Sequence, residues 1–409
     1  MLYVVPAAAR RTLPALLCLA VLLAGVGEAH EGTAGLRTAP DGTLLKDGQP
    51  FRALGMNYMS AFTRCLEDPQ DTSYRAGFAT LAAFEIPFVR LNFGGFYPVN
   101  WTLYRTDPDR YFTLMDGVVR AAEEAGIGLI PSLFWWTACI PDINGEPRNQ
   151  WGNPESKTHA FMRDYVRQVV ARYANSPAIW AWEFGNEYDL AVDLPNADTH
   201  RPWTHVSKGS PAERGPDDDL TSAMLNTAMT AFAAEVRKYD PHRPITTGHS
   251  IPRRSAHHQR IALSWTEDSA AEFRENLAHM TPDPTDLVSI HLYPHAKERR
   301  FGEGDVSYAR LLAEASAAAR AAGKGLFVGE FGPPPDNEAP WTHESAREEG
   351  LALLQAIEAS PVQIAAFWVF DFPWQEAFIN VSADNHRSHY LAALRDTNRR
   401  LRGATTPPK

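Results

Sequence analysis

The chain has 409 residues, 44% hydrophobic and 22% charged, so its core can be large, built as one α/β barrel or as two smaller domains. Its formal net charge of -10 argues against nucleic-acid or anionic-membrane partners and leaves neutral substrates open. Three cysteines without a Cys-x-x-Cys pair give no support to a zinc-ribbon or redox reading.

Residues 1–29 read as a signal peptide. Arg10 and Arg11 supply its positive start, Leu13 to Val26 its apolar core, and Gly27-Glu28-Ala29 its small-residue cleavage positions. That core is short for a transmembrane span. The expected product is a secreted or periplasmic protein, free of the membrane after cleavage, monomeric, and folded over residues 30–405. Export leaves Cys65 and Cys139 in an oxidising compartment, where a disulfide between them and a pair of free buried thiols are both open.

Asp41 to Phe51 alternates around two Asp-Gly turns and reads as a small hairpin placed to plug the bottom of a barrel. Apolar strands then alternate with amphipathic helices, the pattern of a parallel sheet. Strands are predicted at Arg52 to Tyr58, Phe88 to Phe93, Ile127 to Phe134, Ile179 to Glu187, Ile245 to Thr247, Leu287 to Tyr293, Leu326 to Glu330 and Ile364 to Phe370. The intervening helices fall near Tyr74 to Phe84, Tyr111 to Ala125, His159 to Tyr173, Leu220 to Lys238, Ser269 to Met280, Tyr308 to Ala322 and Glu344 to Ala359, with a last one near Tyr390 to Leu401. Eight such units without a linker predict a single (β/α)8 TIM barrel with an N-terminal β-hairpin. An open doubly wound sheet usually carries a glycine-rich phosphate loop after its first strand, and Gly55-Met56-Asn57 is not one. Connections into strands are short and several out of strands are long. Tyr188 to Asp219 is the longest, so the long loops share the face at the strands' C-terminal ends.

The stretch Ile179-Trp180-Ala181-Trp182-Glu183-Phe184-Gly185-Asn186-Glu187 organises the rest. If it alternates as one strand, Ile179, Ala181, Glu183, Gly185 and Glu187 share a face and Glu187 ends at the catalytic rim. Leu326-Phe327-Val328-Gly329-Glu330 repeats the design. Glycosidic hydrolysis needs one group to protonate the leaving oxygen and a carboxylate to attack or to activate water. Glu187 and Glu330 are the candidate pair. Arg90 lies in a predicted buried strand and needs a carboxylate partner; beside Glu330 it would keep that group ionised. His291 and Tyr293 alternate onto one face, the Tyr within reach of the attacking carboxylate and the His of substrate hydroxyls or the acid. Trp368, near the rim, offers a stacking floor for a sugar.

These pieces together resemble clan A glycoside hydrolases, most of all family 5, the cellulase and β-mannanase type. Gly55-Met56-Asn57-Tyr58, Val89-Arg90-Leu91, Trp182-Glu183-Phe184-Gly185-Asn186-Glu187, His291-Leu292-Tyr293, Gly329-Glu330-Phe331-Gly332 and Phe367-Trp368 recur in the family's order over nearly the whole chain after the leader. The resemblance implies a retaining double displacement on an oligo- or polysaccharide, with Glu187 as acid/base and Glu330 as nucleophile. Asn186 would bind the 2-hydroxyl of the sugar under attack, and Arg90 and Tyr293 would orient Glu330. His291, Trp368, Asn57 and Trp136 would complete the substrate site, with no metal and no organic cofactor. Cellulase-type relatives often place Asp or His on the third strand; this chain has Ser132-Leu133-Phe134-Trp135-Trp136, closer to mannanase-like branches. Two readings compete: a carbohydrate-binding protein on the same scaffold, and a metal-dependent hydrolase drawing on His257-His258 or on His291 with His295. The His-x-His expected of the latter's first strand is absent.

Overall fold

The computed structural model describes residues 35–405; the signal-peptide segment lies outside them. Three short strands, β1 (Leu36–Thr38), β2 (Leu44–Lys46) and β3 (Gln49–Pro50), form an antiparallel sheet. Eight parallel strands then close a barrel: β4 (Ala53–Asn57), β5 (Phe88–Asn92), β6 (Gly128–Phe134), β7 (Trp182–Gly185), β8 (Ile245–Thr246), β9 (Leu287–Leu292), β10 (Gly325–Phe331) and β11 (Ile364–Phe367). β10 and β4 flank β11, which completes the ring.

The small sheet caps one end of the barrel, as its position in the sequence suggests. Leu36 and Leu44 join Phe88, Ile130, Trp180, Leu287, Phe327 and Ile364 in one buried cluster, with Phe51 packed against it. The Leu36 amide donates to the Trp180 carbonyl at 3.2 Å. A larger apolar layer lies between strands and helices and takes the outward residues, such as Val89, Trp182, Phe184 and Val328.

Helix starts follow capping chemistry more than apolar periodicity. The second predicted helix begins three residues early, at Pro108. There Asp107 accepts from the Arg110 amide, Pro108 sits in the first turn, and Gly126 closes the far end in a left-handed conformation. Ser156, Ser307 and Thr342 cap three further helices in the same way.

The expected nine-residue strand ending at Glu187 is corrected to Trp182–Gly185. Ile179 makes only an isolated bridge to Leu129 and packs in the outer layer, while Trp180 and Ala181 both join the inner cluster. Alternation starts only at Trp182, where continuous pairing with β6 and β8 sets the pleat. Glu187 therefore reaches the rim by a left-handed turn, φ 54°, rather than by strand parity. Cys65 and Cys139 are both free and buried, each inside its own short helix, so the disulfide alternative is set aside. Burial pushes the Cys65 thiol up to about 12.

Candidate active site

Four barrel strands meet at one guanidinium. Arg90, on β5, is fully buried. Its Nε donates to both oxygens of Glu183 at 2.8 and 3.0 Å. One terminal nitrogen donates to Asn57 Oδ1 at 3.1 Å and to Glu330 Oε1 at 2.8 Å, and the other to Asn186 Oδ1 at 2.7 Å. The Trp135 ring covers the guanidinium, 4.6 Å from centroid to the central carbon. Burial works against a charged Arg90, and the Glu183 and Glu330 carboxylates outweigh it, raising its pKa above the ordinary value.

Asn57 is the floor of this network. It is wholly buried, and its amide nitrogen donates to the carbonyls of Gly329 and Ala366 at 3.0 and 3.1 Å. It thus ties β4 to β10 and β11 while steadying Arg90 from below, with no surface left for a sugar. Asn186 differs. It lines the cleft, and with Arg90 on its Oδ1 its Nδ2 is the amide group left to donate.

Glu330 lies on β10, almost fully buried. Arg90 holds Oε1, and the Tyr293 hydroxyl donates to Oε2 at 2.7 Å. Burial first, then the Glu330 charge, raises the Tyr293 phenol well above its usual range, so it acts as a donor. Glu187 faces Glu330 across the cleft with 29% of its side chain exposed. Its backbone amide donates to the Gly248 carbonyl at 2.9 Å, which holds the left-handed turn. Desolvation and the nearby Asp189 charge push the Glu187 carboxyl up to about 7, against a lowering by Ser250, Arg90 and His295.

His291 sits between the two acids. Its Nδ1 is 2.9 Å from Glu187 Oε1 and 3.6 Å from Glu330 Oε2. The ring is fully buried, which lowers its pKa to about 4 despite the Glu330 charge, so it is neutral at ordinary pH. Carboxylate oxygens of Glu187 and Glu330 and a nitrogen of His291 all fall within 4.8 Å of one another. That trio has the spacing of a metal site, but Arg90 and Tyr293 already occupy both oxygens of Glu330, and a second cation there would face the guanidinium.

The acids open into a cleft of about 970 Å³. Trp368 and Trp135 wall it, 6.1 Å apart between ring centroids, and the Trp368 indole nitrogen donates to Gln375 Oε1 at 2.8 Å. A second depression of about 830 Å³ shares Met59, Phe96 and Phe372 with it and carries Trp374. Trp136 is set back from the acids, stacked between Phe96 and Trp203 at 6.0 and 5.6 Å.

The structure therefore gathers Arg90, Asn186, Glu187, His291, Tyr293, Glu330 and Trp368 at one opening. It puts Asn57 beneath them and Trp136 to the side. Sequence reasoning missed Glu183, the principal partner of Arg90. A buried Arg in need of a carboxylate, and a Glu two strands away on the same inward face, were the available signals. It also missed Ser250 and the arginines of the wall after β8 and β9.

A family model described as cellulase (glycosyl hydrolase family 5) matches residues 44–370. A probable mannan endo-1,4-beta-mannosidase F of Emericella nidulans is 26% identical over 58% of this chain and 49% of its own length. The chain thus spans about half the length of the curated relatives it matches. The endo-1,4-beta-mannanase of Rhizomucor miehei shares the fold with TM-score 0.63 and 15% identity, over 90% of this chain and 100% of its own. An exo-beta-1,4-mannosidase from Opitutaceae bacterium strain TAV5 does so with TM-score 0.62 and 16% identity, over 91% of this chain and 62% of its own. With a model that takes in the barrel from the N-terminal sheet to the rim beyond β11, this chain belongs to the cellulase family, glycosyl hydrolase family 5, a family of enzymes that act on O-glycosyl bonds.

Proposed function

We propose that this protein is a retaining β-glycoside hydrolase of the mannan-degrading kind. The observation that carries the reading is the meeting of two unlike carboxyl groups over one cleft. Glu187 is raised to about 7, and Glu330 is held on both oxygens by Arg90 and Tyr293. An acid that must first give and then take a proton works best with a pKa near the operating pH. A nucleophile must instead be fixed and aimed.

In the first step a Glu330 oxygen attacks the anomeric carbon. The glycosidic C–O bond breaks, and Glu187 delivers its proton to the departing oxygen. In the second, Glu187 as carboxylate takes a proton from water, the water oxygen bonds the anomeric carbon, and Glu330 leaves as carboxylate. An inverting site needs room for water between carboxyl groups roughly 6.5–9.5 Å apart, whereas a retaining site holds them at about 5–5.5 Å. Carboxylate oxygens within 4.8 Å support the second arrangement. In this reading Asn186 Nδ2 takes the 2-hydroxyl of the sugar under attack and Trp368 its face.

The mannan preference rests on the named activities of the relatives and on the aromatic end of β6. The depression beyond Phe372 supports binding of a chain longer than one sugar. Export follows from the leader read at residues 1–29; no helix among the described residues is long and apolar enough to cross a membrane. Digestion of β-mannan, β-glucan and defined oligosaccharides, with the first-formed anomer followed by NMR, tests the reading. Retained configuration on a mannan-type chain is expected, and an inverted first product contradicts it.

A further inference from the structure

The cleft wall built by the loops after β8 and β9 carries Arg253, Arg254, Arg299, Arg300 and His295. Arg300 is committed to the fold, since it donates to the carbonyls of Ala296 and Pro252 at 2.9 and 2.6 Å. Among the described residues, the guanidinium groups of Arg253, Arg254 and Arg299 make no hydrogen bond or ion pair. Elsewhere comparable arginines are paired: Arg201 with Asp219, Arg214 with Asp142, Arg243 with Asp240 and Arg387 with Asp336.

Arg253 is the telling member. It is half-buried, and burial lowers its pKa from the ordinary value, offset only in part by the Asp189 charge. Asp189 is itself engaged by the Ser250 amide at 2.9 Å and lies 3.4 Å from His249 Nδ1. Arg253 thus gives up part of its hydration against a single nearby counter-charge that is already engaged, and an arriving anion relieves that cost. Two carboxylates share the wall. Glu267 accepts from the Gly302 amide at 2.6 Å, and Glu298 stands near His295. Asp189 and, for Arg300, Asp268 act from behind the lining, so on the wall facing the cleft the guanidinium groups outnumber the carboxylates, in a chain whose net charge is -10. Gln259, buried on the same wall, has an amide donor without a partner. Trp265, 54% exposed, offers a ring beside it for a sugar face.

We propose that this wall is a subsite for a sugar residue bearing an oxyanion, a uronate carboxylate or a sulfate ester, with Arg253 as its anchor. The planar guanidinium suits either oxyanion. The assignment rests on the glycoside hydrolase reading and narrows its substrate class from neutral chains to chains with acidic residues or branches.

The test compares matched β-linked oligosaccharides, one neutral, one carrying a uronate and one a sulfate, at low and high salt, by kcat/KM and by calorimetric binding. The wild type is expected to favour at least one acidic arm by about tenfold, equivalent to about 1.4 kcal/mol. Salt should shrink that preference. Arg253→Gln should cut it several-fold, mostly through KM, and Arg253→Lys should keep part of it. The favoured arm tells carboxylate from sulfate. Turnover with no preference for either acidic arm, or a preference that Arg253→Gln leaves unmoved, overturns the subsite and leaves the hydrolase reading intact. Absence of turnover on all three arms counts against the hydrolase reading instead. The binding data then judge the subsite alone, and equal affinity for the three overturns it.

Discussion

Arg90 and Glu183 form an ion pair with no solvent exposure on either side, the Arg90 Nε donating to both carboxylate oxygens, and the same guanidinium holds Glu330, the carboxylate proposed as nucleophile. Its remaining donors fall to Glu330, Asn57 and Asn186. Desolvation raises the Glu183 carboxyl despite the adjacent Arg90 charge, so each member depends on the other.

Removing one partner of such a pair strands a buried charge. Glu183→Ala is expected to lower unfolding stability by about 3–5 kcal/mol. Chemical denaturation checks this, and a loss below about 1 kcal/mol, within the range of an exposed pair, would mean that the pair is solvated.

Asn57 should behave as a structural residue. Asn57→Ala removes its bonds to Gly329, Ala366 and Arg90 and leaves buried partners unsatisfied, at about 1–3 kcal/mol for each such group. Thermal unfolding should show the loss, and oligosaccharide affinity of the folded fraction should change little. A selective loss of affinity at unchanged stability would instead make Asn57 a substrate contact.

The pH profile follows from Glu187. Its carboxyl is raised to about 7, and the first step requires it protonated, so the rate on substrates with poor leaving groups should fall as pH rises through about 7. Asp189 contributes to that elevation, so Asp189→Asn should move the alkaline limb to lower pH. With an aryl glycoside that leaves unaided, the limb should flatten. A limb in the same place for both substrate types would assign it to another group.

Glu187→Ala should lose most activity on natural linkages and regain part of it with azide or an activated leaving group, because the missing functions are proton transfer and activation of water. Failure of both remedies in a folded variant would remove Glu187 from the acid/base role.

Much of this site was legible before any coordinates. Glu330 ends an uninterrupted apolar strand, and Asn186-Glu187 follows another, so short-range pattern placed both acids on one rim. Glu187 nevertheless arrives through a positive φ, which a non-glycine residue seldom adopts and strand alternation does not foresee. Glu183 was hidden by being one strand residue among several; only the guanidinium reaching it from β5 shows its task. The wall with Arg253 and Arg299 was illegible because its members come from two long loops, where no periodicity relates residue spacing to position. The places of the two tryptophans after β6 were illegible for a related reason: β6 ends at Phe134, so no strand alternation relates them, and Trp135 took the cleft while Trp136 went to the row with Phe96 and Trp203.

The central claim is that Glu330 bonds to the sugar while Glu187 serves the proton. A 2-deoxy-2-fluoro glycoside with an activated leaving group slows the second step more than the first, so the sugar–enzyme adduct accumulates for peptide mapping by mass spectrometry. The account predicts one sugar per chain on the peptide containing Glu330, and none on Glu330→Gln, whose turnover should fall by about 10⁴-fold or more, the scale seen when a nucleophile is removed. An adduct on another carboxylate, or turnover of the same sugar by Glu330→Gln at near-normal rate, would contradict it.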